Sequence, residues 1–234
     1  GVIVCGAIAE ENFYIGHIYN ILAKNLAMYG FHVFQFDYTG TGNSEGEFIE
    51  TNVEVWIEDI RNAIKYLKQK YNIHDIILLG TRLGATTCYK LSTEIRDIVG
   101  ICLWEPVVIG EIYWKEKLRE LRTKSIFSNI HNHIVGSANS MDYMGYCISN
   151  DFIIQIQKID LLKSNKTLAD NVCILHSKKA TKNRNIIIKF HEFHSNKRVY
   201  YKEIDSSLFW LNFYNNGYQG FIDNTLSWIK ELNY

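Results

Sequence analysis

The stretch Ile76-Ile77-Leu78-Leu79-Gly80-Thr81-Arg82-Leu83-Gly84-Ala85 decides the architecture. Its four leading apolar residues have the length of a strand buried on both faces. Leu83 to Ser92 carries a helical pattern, so a buried strand passes into a helix across a turn of very few residues. Gly80 and Gly84 permit so sharp a turn, and Arg82 stands at its tip. A Gly-x-x-x-Gly spacing alone is weak evidence; its place between a strand and a helix gives it weight.

The same strand-then-helix unit repeats on both sides. Upstream, Val2 to Cys5 is a strand and Gly6 a turn. A helix with Ile15, Ile18, Ile21, Leu22 and Leu26 on one face then ends at Gly30. Phe31 to Phe36 is the next strand, Asp37 to Glu50 a glycine-rich loop, and Val53 to Tyr71 a helix with Ile57, Ile60, Ile64 and Leu67 inward. Downstream come strands at Ile98 to Trp104, Asn171 to Leu175 and Arg198 to Ile204. Helices follow at Ile186 to Phe193 and Tyr218 to Leu232. Strands separated by helices of this length need crossovers, which predicts an α/β protein with a mostly parallel sheet and helices on both faces. Between Gly110 and about Ser164 the alternation stops and the text turns helical and polar. The expected organisation is a core of residues 1–110 and 165–234 with a helical cap insertion at 111–164.

Composition narrows the function classes. Lys+Arg and Asp+Glu number 25 each, so no net field draws a polyanion and nucleic acid is not an expected partner. The five cysteines are odd in number and irregularly spaced, and they read as reduced core thiols in a cytoplasmic protein. Apolar runs are strand-sized, so no membrane span is expected. What precedes Gly1, and the oligomeric state, are left open. No Cys/His cluster has metal-ligand spacing and no cofactor is expected. Asp37-x-x-Gly40-x-Gly42 is not succeeded by a helix, as a dinucleotide fingerprint would be.

In α/β-hydrolases a strand turns into a helix at Gly-x-Ser-x-Gly, with the serine as nucleophile. Here Arg82 takes the serine's place. Further stretches are Ala9-Glu10-Glu11-Asn12, Phe36-Asp37-Tyr38-Thr39-Gly40-Thr41-Gly42-Asn43-Ser44-Glu45-Gly46, Leu103-Trp104-Glu105-Pro106-Val107-Val108-Ile109-Gly110 and Met144-Gly145-Tyr146. Together they resemble the exosortase-A-associated hydrolases of the second type, relatives of the serine aminopeptidase-like hydrolases. In that branch the turn also tends to carry Arg where Ser is expected. The resemblance implies the α/β-hydrolase fold and little about the reaction.

A serine-hydrolase triad needs nucleophile, imidazole and carboxylate together. A guanidinium stays protonated and cannot attack. Where typical members place the acid, this chain has His176-Ser177-Lys178-Lys179-Ala180, without a carboxylate. Where they place the histidine, it has Asp205-Ser206-Ser207-Leu208-Phe209-Trp210, without a histidine. What the resemblance retains is the anion-binding part, the amides of Leu83 and Ala7 with Arg82 beside them.

Glu10, Glu11 and Glu105, all expected at carboxyl ends of strands, are candidates to balance Arg82. Glu105 and Glu10 join Arg82 as catalytic candidates. Two readings of Arg82 stand: a buried salt bridge in an inert scaffold, or a seat for a substrate carboxylate or phosphate beneath the cap. Trp104, Tyr143, Tyr146 and Trp210 suit an aromatic-lined pocket. His131 and His133 in the cap are more readily surface residues than bases. The expected function is a hydrolase-like protein that binds or acts on an acyl- or carboxylate-bearing small molecule. A non-catalytic binding or partner protein, and a conventional esterase or peptidase with an unrecognised nucleophile, are the alternatives.

Overall fold

The computed structural model describes residues 1–127, 139–194, 198–212, 214 and 216–232. In chain order the elements begin with β1 (Val2–Cys5), α1 (Ala9–Met28), β2 (Val33–Gln35), α2 (Val53–Tyr71), β3 (Ile76–Thr81), α3 (Leu83–Ser92) and β4 (Ile98–Trp104). There follow α4 (Gly110–Phe127), β5 (Ser140–Tyr143), β6 (Tyr146–Ser149) and α5 (Asn150–Gln157). The chain closes with β7 (Asn171–Ser177), α6 (Arg184–Phe193), β8 (Arg198–Ile204) and α7 (Gln219–Glu231).

Six strands form one parallel sheet in the order β2-β1-β3-β4-β7-β8. Side chains alternate between its faces as a strand period of two requires. Ile3, Leu78, Ile101 and Ile174 meet α2, α3 and α6 on one face. Val4, Leu79, Cys102 and Leu175 meet α1 and α7 on the other. Burial on both faces explains why β1, β3 and β4 read as nearly unbroken apolar runs. The chain steps from β1 outward to β2, then back across to β3. The switch point of the sheet therefore lies between the carboxyl ends of β1 and β3, where sheets of this kind hold ligands.

The segment between β4 and β7 departs from the helical expectation. Besides α4 and α5 it contains an antiparallel hairpin, β5 paired with β6 through Tyr143↔Tyr146. Met144 and Gly145 both have positive φ, 54° and 86°, the backbone that a two-residue hairpin turn demands. Two other expectations are corrected. Cys147, on β6, is exposed, whereas Cys5, Cys88, Cys102 and Cys173 are buried. The second strand is only Val33–Gln35, because Phe31 and His32 fall before the paired register and Phe36 after it.

Candidate functional site at the carboxyl ends of β1, β3 and β4

The site is built on a turn that only glycines allow. A Cβ added at Gly80 would meet the carbonyl oxygen of Gly84 at 2.5 Å, and one at Gly84 would collide with the Gly6 carbonyl oxygen. The amino end of α3 is thus pressed onto the backbone leaving β1, which brings the Ala7 loop beside the Leu83 amide. Leu83 opens α3, so its N–H is among those a helix leaves without an internal partner. Arg82 sits between at φ 56°, ψ −120°, a conformation L-residues rarely adopt. Its amide donates to the Trp104 carbonyl at 2.9 Å. Ala9 (φ 49°) and Glu105 (φ 50°) have positive φ as well. Three strained non-glycine residues thus stand just beyond β1, β3 and β4. Each such residue costs of order 1–3 kcal/mol, and clusters of them mark functional sites.

The Arg82 side chain is 7% exposed. Its Nε donates to Glu11 Oε1 at 3.1 Å. Glu11, in the first turn of α1, also accepts from Lys117 Nζ at 2.8 Å and from the Tyr113 hydroxyl at 2.9 Å. Tyr113 and Lys117 are one helical turn apart on α4, so they present to one side. Lys117 bridges on to Glu120 at 2.8 Å. The guanidinium carbon lies 5.1 Å from the Tyr113 ring centre and 5.4 Å from that of Trp210, giving it two aromatic faces.

Burial is the largest influence on the Glu11 carboxyl and pushes it up. Lys117 and Arg82 outweigh it and hold the group below the usual carboxylate range. Burial likewise acts to lower Arg82, but Glu11, Tyr113 and Glu105 keep it above its ordinary value. Burial raises the Tyr113 phenol well above its usual range, so it remains a hydrogen-bond donor. At neutral pH the knot holds two cations and a shared carboxylate.

A second buried group lies two strands along. Glu105 Oε2 is 3.1 Å from His176 Nδ1, and Glu105 Oε1 accepts from the Ser177 amide. Both side chains are enclosed. Ser177 Oγ donates to the Ser206 carbonyl at 2.8 Å, joining the loops after β7 and β8.

Two spaces adjoin the knot. A cleft of about 450 Å³ runs between α4 and the loops after β7 and β8. It is bordered by Arg82, Glu120, Thr181, Asn183 and Trp210 among others. A smaller one of about 120 Å³ is bordered by Glu10, Glu11, Tyr143 and Trp210. The larger volume falls in the range of small-molecule sites, ~300–1,000 Å³.

The structure therefore brings Arg82, Glu11, Glu10, Tyr143, Trp210, Ala7 and Leu83 together. Of the three carboxylates proposed to balance Arg82, Glu11 makes the contact. Glu105 is directed to His176 and Ser177 instead, and reaches Arg82 only through its field. Trp104 does not line the cleft. Its ring is fully buried among Phe209 and Phe221, with Nε1 donating to Thr225 at 2.9 Å. It shares the parity of Cys102 along β4 and so faces α7. Tyr146 packs against Phe48 at 5.1 Å. His131 and His133 lie outside the described residues. Tyr113 and Lys117 were missed by sequence reading, though their i, i+4 spacing within a segment read as helical was visible. Among the described residues no group of three or more His, Cys, Asp or Glu side chains can hold a metal ion. No described helix is long and apolar enough to cross a membrane.

A parallel sheet flanked on both faces, with a strand–turn–helix at its switch point, is the α/β-hydrolase fold, and solved structures bear this out. The chain is similar to Est1E from Butyrivibrio proteoclasticus with ferulic acid bound, at 14% identity over 98% of this chain and 88% of that one, TM-score 0.67. It is also similar to GrgF from Penicillium sp. sh18 (13%, 98% and 89%, TM-score 0.67) and to mouse alpha/beta hydrolase domain-containing protein 10 (17%, 100% and 90%, TM-score 0.62). At such identities the likeness speaks for the fold alone. Residues 14–152 match the serine aminopeptidase S33 family, Hydrolase_4, and the chain belongs to that family. Among curated proteins, none matches it.

Proposed function

We propose that this chain is a hydrolase-fold protein of the Arg-bearing, exosortase-associated kind that binds an acyl- or carboxylate-bearing small molecule beside Arg82 and does not carry out serine hydrolysis. The observation that carries this reading is Arg82 itself. It occupies the strained tip at φ 56°, ψ −120°, is ion-paired with Glu11, and still borders a cleft of ligand size. A guanidinium there cannot attack a carbonyl. Under this reading residues 111–164 act as a cap, contributing Tyr113, Lys117 and Tyr143 to the walls around the knot.

The amides of Ala7 and Leu83 are the groups that receive an acyl or carboxylate oxygen, since donors fixed at a helix amino end favour negative charge without reorganisation. Arg82 shapes that seat and adds positive potential, although Glu11 already shares its charge. Trp210 and the aliphatic residues near it take the apolar part.

Labelling of the purified chain with a fluorophosphonate probe tests the absence of serine hydrolysis. No adduct is expected, and a covalent adduct on any serine overturns the reading. Titration with decanoate, followed by calorimetry, tests the binding half. Saturable binding that Trp210→Ala removes is expected, and heat indistinguishable from dilution refutes it.

A further inference from the structure

The larger cleft is charged in a way that the knot does not account for. Around its rim stand Arg119 on α4, and Lys179 and Lys182 on the loop between β7 and α6. None of the three has an ion pair among the described residues, while Arg82 and Lys117 further in are both held by Glu11. Counting all charged residues that border the cleft, four cations face two carboxylates, Glu116 and Glu120, for a net charge of +2. Glu120 is engaged by Lys117, and Glu116 accepts from Asn183 Nδ2 at 3.4 Å. This surplus sits in a chain whose Lys+Arg and Asp+Glu are equal, 25 each. It is therefore a local feature. The opposite wall is apolar, formed by Leu208, Trp210 and Leu211.

We propose that the ligand of this cleft is a phosphate-bearing amphiphile. Its apolar or acyl part lies along Leu208, Trp210 and Leu211 toward Arg82, and its phosphate monoester is held at the rim by Arg119, Lys179 and Lys182. The proposal rests on the binding reading given above and adds the class of headgroup. Two arguments favour phosphate over a second carboxylate. The surplus of +2 matches the charge of a phosphate monoester dianion, about −1.5 to −2 near neutral pH. The donors also come from two separate elements, α4 and the loop between β7 and α6, with Thr181 on the loop beside the cations. Such a spread suits a tetrahedral group with three acceptor oxygens better than a planar one with two. An apolar wall next to an unpaired basic rim leaves a neutral ligand with no use for the cations, and a free phosphate ion with no use for the wall.

Calorimetric titration of the full chain with decyl phosphate, decanoate, decanol and inorganic phosphate reads this directly. Decyl phosphate is expected to bind at least about tenfold more tightly than decanoate, with decanol and inorganic phosphate weaker than either. In Arg119→Gln/Lys179→Gln/Lys182→Gln the decyl phosphate affinity should fall by ~10- to 100-fold while decanol is unchanged. Lys179→Arg/Lys182→Arg should keep it. These side chains are solvent-facing, and circular dichroism verifies that the variants fold.

Equal affinity for decyl phosphate and decanoate, or an unchanged affinity in the triple variant, overturns the headgroup assignment. If decanoate binding still depends on Trp210 in that case, the binding reading survives. Inorganic phosphate binding as tightly as decyl phosphate overturns it too, since the apolar wall would then be idle. Association with phosphatidic acid vesicles without binding of monomeric decyl phosphate refutes it in favour of a bilayer-borne headgroup. Failure of every decyl compound sinks both readings together.

Discussion

Two buried charged clusters lie along the same edge of the sheet, and they differ in what they face. Beyond β3, Arg82 shares Glu11 with Lys117 and Tyr113, and its guanidinium borders a cleft. Beyond β4 and β7, Glu105 takes the His176 ring and the Ser177 amide, and His176 Nε2 is buried with no hydrogen-bond partner among the described residues. The first cluster is assembled from the start of α1, the tip before α3 and the inner side of α4. The second joins the ends of adjacent strands and is sealed. Positioning charge at a cleft therefore falls to the cluster that draws on α1 and α4, and tying strand ends together falls to the one built between the neighbouring strands β4 and β7. A carboxylate–imidazole contact is not by itself a sign of chemistry when both side chains are buried.

The widest separation between the two is expected on removing the shared carboxylate. Glu11→Gln leaves Arg82 and Lys117 buried beside a neutral amide and should cost about 3–5 kcal/mol in urea unfolding. The same variant isolates a pH effect. Because Glu11 is held below its ordinary range, the stabilisation it provides is complete above the unfolded carboxylate value, and is lost as pH falls through the lowered folded value. The stability gap between the wild-type chain and Glu11→Gln should therefore narrow in acid, and a gap independent of pH would place the interaction elsewhere.

Smaller effects are expected at the sealed cluster. Glu105→Gln keeps the shape and weakens two hydrogen bonds, for a loss of ~1–3 kcal/mol, with decanoate binding unchanged in calorimetry. A change in that binding would mean the two clusters are coupled. Smallest is Trp104→Phe, which removes the bond to Thr225. The lost hydrogen bond alone should cost about 1 kcal/mol and binding should stay intact, whereas Trp210→Ala is expected to abolish it.

The contrast also explains what the sequence disclosed. Strand, turn and helix around Gly80 and Gly84 were legible because burial on both faces writes itself as apolar runs, and because a close backbone approach admits only glycine. Glu11 was among the carboxylates assigned to balance Arg82, since a buried guanidinium must be paired. The choice of Glu11 over Glu105 was not legible. It depends on Glu105 being drawn away to His176 and Ser177, partners set by strand order and not by sequence distance. Tyr113 and Lys117 lie 102 and 106 positions beyond Glu11, so their helical spacing said they share a side but not which residue they meet. Trp104 could have been placed correctly from its parity with Cys102. The hairpin was concealed because Met144, a residue that seldom takes positive φ, fills half of its turn.

The contact of Gly84 with the Gly6 carbonyl has a mechanical meaning. With no side chain between them, the amino end of α3 and the backbone leaving β1 are clamped face to face, and Glu11 follows that backbone by only five residues. Arg82 and its counter-ion thus ride on one joint. The spacing of the ion pair is thus set by one backbone contact, with Lys117 and Tyr113 fixing Glu11 from the other side. An alanine at position 84 would wedge the joint open and separate the two mounts.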